Sequence, residues 1–208
     1  MRKCLFGLLF IASLIYTSCE EDQVLPPYTQ DLAELVTNAY GEARTLIFDD
    51  GRKLPVVNKL GNLTPDSIYR IRAMYVPVEN GVQLTAAQTT VSSFPIELDA
   101  AGMQTDPVEL KSIWGSPRYV NMLVGLKTGG GAQMIGFVYN GIEVSADGVK
   151  KQHIVVFHDQ IEDPTYYTQD IYLSCPVYQL STELEHGRDS VEMTIHTFKG
   201  ITRKSFPY

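Results

Sequence analysis

The sequence predicts an all-β protein, with a small N-terminal OB-type barrel followed by a C-terminal seven-stranded β-sandwich. Three observations predict this class. Beyond residue 30 there is no sustained 3.6-residue apolar periodicity; short runs alternating with period two dominate, separated by Gly, Pro, Asp and Asn. Five such runs fall in residues 30–95, which suits a small, partly open barrel. Seven more fall in residues 106–208, with turn residues at the spacing of a β-sandwich. The composition agrees, since 44% of the 208 residues are apolar, enough to bury a core without disulfide staples. The chain carries 17 Lys and Arg against 24 Asp and Glu, and a formal charge of −7 argues against a nucleic-acid partner, which needs a basic patch.

Residues 1–18 are expected to be an export signal. Arg2 and Lys3 form a basic head, and Cys4 to Tyr16 is an apolar run, shorter than the about 20 residues a bilayer span requires. The run ends in Tyr16-Thr17-Ser18-Cys19, which resembles a bacterial lipobox with Cys19 as the acylated residue; most lipoboxes place an aliphatic residue where Tyr16 stands. The alternative is an ordinary signal peptide cleaved near Ser18. A lipidated Cys19 would hold the protein on the membrane stably, because two acyl signals already suffice. Glu20, Glu21 and Asp22 follow directly and resemble the surface-export signal of some Gram-negative anaerobes, or serve as a solvated tether. The expected location is the outer membrane, lipid-anchored, facing outward if the acidic run is an export signal. The tether runs over residues 19–29, and Pro26-Pro27 favours extended polyproline II. Removing residues 1–18 takes away Arg2 and Lys3 and moves the formal charge from −7 to −9. It leaves Cys175 as the one cysteine without lipid, so no disulfide can form within the mature chain.

In the first domain, Asp31 to Tyr40 is the first strand, with a short helix as the alternative for its Glu-Leu-Val centre. Ala43 to Phe48 and Arg52 to Val57 flank Asp49-Asp50-Gly51, whose Asp-Gly supplies the positive φ of a tight hairpin. Asn58 to Pro65 is a loop. Ser67 to Val78 puts Tyr69, Ile71, Ala73 and Tyr75 on one face and Arg70 and Arg72 on the other. Glu79-Asn80-Gly81 turns the chain, and Val82 to Ser93 returns. Phe94 to Pro107, with a Pro near each end and an Ala-Ala-Gly break, is the expected boundary. The seven strands of the second domain are Val108–Trp114, Arg118–Lys127, Ala132–Asn140, Lys150–His158, Tyr167–Tyr178, Ser190–Phe198 and Ile201–Phe206. In the sixth, Val191, Met193 and Ile195 point inward.

Four stretches of the second half, Asp106–Trp114, His153–Tyr166, Leu173–Leu180 and Asp189–Phe198, resemble the NigD-like lipoproteins. The lipobox and the Asp-Asp-Gly hairpin extend the resemblance over nearly the whole chain. It implies an OB-type domain followed by a β-sandwich, in agreement with the strand pattern. It implies no catalytic residues, and a bacteriocin-locus role in immunity or secretion is the function attached to the family's name. The sequence departs from the family at Cys175, where a larger apolar residue such as Phe is usual. Cys175 shares a face with Ile171, Leu173 and Val177 and is expected to be a small core residue, there being no nearby Lys or Arg to activate a thiol.

Signatures of chemistry are sparse. No nucleophile elbow, zincin, P-loop or dinucleotide fingerprint is present. His158, Asp159, Glu162 and Asp163 bring an imidazole and three carboxylates into one loop and are a weak candidate for a hard cation, without the Asp-x-Asp-x-Asp-Gly spacing of a calcium loop; a solvated turn before Pro164 is the alternative. His153 and His158 lie five apart on one strand and cannot chelate together. Glu183-Leu184-Glu185 and Asp189 make an acidic turn, most simply a solvated one. Tyr166 and Tyr167 could stack on a sugar ring or simply pack the strand surface, and Arg70 and Arg72 could hold an acidic ligand or form an ordinary solvated face. The expectation is a non-enzymatic binding or accessory module without cofactor, attached to the membrane through Cys19, with an envelope protein or glycan as partner. The alternatives are an immunity or secretion-associated lipoprotein, or an envelope hydrolase.

Overall fold

The structure is a computed structural model, and it describes residues 28–99, 101–178, 180 and 183–208. The signal, Cys19 and most of the tether lie outside the described residues. Among the described residues there is no helix; thirteen strands form one five-stranded and two four-stranded sheets.

The first sheet holds β1 (Thr29–Thr37), β2 (Ala43–Phe48), β3 (Lys53–Pro55), β4 (Ile68–Val78) and β5 (Gly81–Thr89) in the order β3-β2-β1-β4-β5. Asp49-Asp50-Gly51 closes the β2–β3 hairpin. Gly51 takes φ 86°, and its N–H donates to the Phe48 carbonyl at 2.9 Å. β1 pairs antiparallel with both β2 and β4. The ends of the sheet approach each other where the Val57 N–H donates to the Val82 carbonyl at 3.0 Å, beside a parallel bridge between Val56 and Val82. A ring of five strands in this order is the OB-type barrel expected from the pattern. Its core is the inward face read from the alternation: Ile71, Ala73 and Tyr75 of β4 are buried with Ala33, Leu35, Leu46, Phe48, Val82 and Leu84.

All seven expected strands of the sandwich are present as β7 (Glu109–Gly115), β8 (Tyr119–Thr128), β9 (Met134–Val144), β10 (Lys150–Asp159), β11 (Tyr167–Pro176), β12 (Ser190–Thr197) and β13 (Gly200–Pro207). An eighth, β6 (Val91–Ser92), joins them. One sheet runs β13-β12-β10-β9 and the other β6-β11-β8-β7. Between them lie Val120, Met122, Val124, Phe137, Ile154, Val156, Leu173, Val191, Met193 and Ile195. Cys175 is fully buried in this core, and burial pushes its thiol well above the ordinary value.

The return strand expected over Val82 to Ser93 is broken at Thr90, where the chain crosses from the barrel to the sandwich. β6 pairs with β11 through Leu173 opposite Val91. Beyond it, Ile96 exchanges backbone hydrogen bonds with Phe137 and Tyr139, and the Asp106 N–H donates to the His158 carbonyl. Residues read as a boundary in the sequence are thus stitched along the sandwich.

Candidate functional site

The outward face of β1 and β4 is covered at its centre, where Glu34 and Arg70 are buried. Glu34, Arg70 and Arg72 point away from the barrel core, as alternation requires, but the outer face of the β6-β11-β8-β7 sheet lies against them. Arg70 is 8% exposed. Its Nη1 and Nη2 donate to the two carboxylate oxygens of Asp49 at 2.6 and 2.9 Å. Its Nε donates to the Ser174 hydroxyl at 3.1 Å and its Nη2 to the Asn121 amide oxygen at 3.0 Å. Asn121 donates in turn to Asp49 at 2.7 Å, and Ser174 to Asn121 at 2.7 Å. The guanidinium also lies over the Tyr119 ring, 3.8 Å from its centroid. Two residues of the barrel and two strands of the sandwich therefore share one closed polar network, in which each buried polar group finds a partner.

A second contact stands beside it. Buried Glu34 of β1 accepts from the Tyr119 hydroxyl at 2.5 Å and from Arg118 Nη2 at 2.8 Å. Burial and then this carboxylate push the Tyr119 phenol far above its usual range. Arg118 stacks on Tyr178, which meets Tyr119 and Phe94 edge-on with centroids 5.8 Å apart in each pair.

Where the barrel leaves the sheet surface, a cleft of about 420 Å³ opens between the domains. From the sandwich, Trp114 at the end of β7 and Tyr172 on β11 line it; from the barrel come Gln30, Asp31, Phe48, Asp49, Asp50, Arg52 and Arg72. Trp114, the only tryptophan in the chain, is 37% exposed. Arg72 lies over the Tyr172 ring at 5.3 Å. Arg52 pairs with Asp50 at 2.5 Å, and that hydrogen bond holds the Asp50 carboxyl below the usual carboxylate range. Asp31 accepts from the Tyr75 hydroxyl at 2.8 Å, and burial followed by this bond pushes Tyr75 up to about 12.

The remaining sequence candidates lie elsewhere. His158 is buried, its ring nitrogens 3.0 Å from the Asp106 carbonyl and 2.9 Å from the Gln133 amide oxygen. Asp163 is buried too and accepts from Thr128, Gln133 and the N–H groups of Gly129 and Gly131, with the Thr128 hydroxyl as the main cause of its lowered pKa. Asp159 accepts from the Ile161 N–H, and Glu162 is exposed at φ 59°. The four do not converge, and among the described residues no group of three His, Cys, Asp or Glu could hold a metal ion. Tyr166 and Tyr167 are exposed at the start of β11, away from the cleft. The acidic turn is not wholly solvated, because Asp189 is buried and accepts from the Lys150 and Glu185 N–H groups.

Fold and junction together define a class: a two-domain β protein whose OB-type barrel and β-sandwich are joined face to face around a cleft. No family model matches the chain, nor does any curated protein. Solved structures do. A NigD-like immunity protein from Bacteroides caccae superposes with a TM-score of 0.67 at 24% identity, covering 88% of this chain and 93% of that one. A protein of unknown function, DUF1344, from Bacteroides vulgatus gives 0.67 at 19% identity, over 86% and 91%. A candidate lipoprotein from Bacteroides fragilis gives 0.58 at 10% identity, over 86% and 96%. These likenesses show the fold, the one the sequence resemblance implied. None of the three is named as an enzyme.

Proposed function

We propose that the protein is a lipid-anchored, non-enzymatic binding module of the cell envelope that holds its ligand in the junction cleft. The observation that carries this reading is the cleft itself, a preformed opening with an exposed Trp, a Tyr and charged groups converging from two domains. The state of its carboxylates favours binding over hydrolysis. A glycan hydrolase needs one carboxyl held protonated beside one held ionised. Here Asp49 is occupied by Arg70 and Asn121, Asp50 is held ionised by Arg52, and Asp31 accepts from Tyr75. The lipobox-like Cys19 and the candidate lipoprotein among the structural neighbours support the anchor. Gln30 at the cleft rim lies eleven positions after Cys19, so an extended tether would keep the cleft within about 38 Å of the membrane. The name of the Bacteroides caccae neighbour favours a second reading, an immunity factor acting by contact with a protein partner.

Two substitutions test the proposal. Alkyne fatty acid fed to cells should label the wild-type chain and not Cys19→Ala; label retained on the variant refutes the anchor. A photo-crosslinking residue at Ser116, in the cleft, should give a discrete adduct in intact cells that the same residue at exposed Lys204 on β13 does not. Equal adducts at both positions refute the cleft as the binding site.

A further inference from the structure

We propose that the junction cleft recognises a sugar carrying a carboxylate, with the sugar ring against Trp114 and Tyr172 and its acid on Arg72; this deepens the binding reading above and rests on it. The argument begins with the two arginines of β4. Arg70 is consumed by Asp49. Arg72, two residues on and half-buried, makes no ion pair among the described residues. Its guanidinium carbon lies over the Tyr172 ring, 5.3 Å from the centroid. With its amide oxygen turned to the guanidinium, Gln30 accepts from Nε at 3.0 Å and Nη1 at 3.2 Å. Nη2 is left with no protein acceptor among the described residues. A cation over an aromatic ring, half-buried and with one nitrogen short of a protein acceptor, is arranged for a planar anion.

The other wall narrows the class of anion. Asp31, Asp49 and Asp50 line the same cleft. Asp49 and Asp50 are tied to Arg70 and Arg52, which leaves Asp31 as the carboxylate without a cation, and its Oδ1 has no protein donor among the described residues and can accept from a hydroxyl group. Trp114 and Tyr172 supply apolar bodies with polar edges, the surface on which pyranose rings stack. One cation without a carboxylate partner, an open carboxylate acceptor and an aromatic platform together describe a uronic acid better than a neutral sugar, which leaves Arg72 unmatched. They also describe it better than an acidic peptide, which offers Asp31 fewer hydroxyls.

Because Trp114 is the only tryptophan, its emission reports this cleft alone. The purified Cys19→Ala chain would be titrated with trigalacturonate, its methyl ester, galactotriose and triglutamate, with calorimetry in parallel. The expected result is a saturable change in Trp114 emission with trigalacturonate, at least tenfold tighter than with the other three. Arg72→Gln should abolish that preference with an unchanged far-UV spectrum, while Arg203→Gln, on exposed β13, should not. The ester arm keeps the test valid if Arg72→Gln fails to fold. Equal binding of the ester or galactotriose overturns the acid requirement and leaves the cleft as a sugar site. Tighter binding of triglutamate overturns the sugar. Silence of Trp114 with no heat from any probe overturns this inference; the adducts at Ser116 then decide the broader reading separately.

Discussion

Two arginines one alternation apart have opposite fates, and the difference measures what a single strand reveals. Period two places both Arg70 and Arg72 outward from the barrel, and they are. Nothing in the strand says that a second domain covers one of them, because that depends on residues 51 and 104 positions away, Asn121 and Ser174. Only the pairing partner was near at hand, since Asp49 stands in the hairpin the Asp-Gly signal identifies. Cys175 was legible for the opposite reason: its face is set by Ile171 and Leu173 on its own strand and Val177 just beyond it, and it lies in the core they form. The buried pair makes a sharp prediction. Arg70→Met leaves Asp49 charged, largely buried and short of its main partner, so denaturant unfolding should show a loss of about 3–5 kcal/mol. A loss below about 1 kcal/mol, the scale of a solvent-exposed pair, would contradict the burial.

At the scale of elements, strands were more legible than what joins them. Every expected sandwich strand is found, because its apolar residues alternate over six or more positions. β6 was hidden, because two residues continuous with β5 carry no period of their own. The loop after β10 was misleading for a different reason: its acidic residues suggested a cation, whereas Asp163 turns inward to hold the backbone of Gly129 and Gly131. That clamp braces a loop in which Ile161, a β-branched residue, takes φ 48°, a conformation that costs about 1–2 kcal/mol. The folded state keeps Asp163 ionised below the ordinary carboxylate value of 3.8, with the Thr128 hydrogen bond as the main cause. Its contribution is therefore complete above pH 3.8 and is lost as pH falls through the lowered folded value. Asp163→Asn should lower the melting temperature at pH 7 and flatten its fall on the acid side of 3.8, measured by circular dichroism across pH. An acid limb as steep as that of the wild type would refute the clamp.

At the scale of the whole molecule, the polar character of the contact poses the question of whether two domains behave as one. Polar interfaces within a chain usually permit relative motion. Here Arg70, Asp49, Asn121 and Ser174 are mutually satisfied, and the crossover is pinned at β6 and Ile96, so both the network and the connection oppose separation. A cleft built from both domains keeps its shape only if they do not move apart. The account therefore rests on the junction being rigid, and calorimetric unfolding of the Cys19→Ala chain tests it most directly. It predicts one transition with equal calorimetric and van't Hoff enthalpies, split into two by Arg70→Met. Two transitions with Arg70 intact would contradict it.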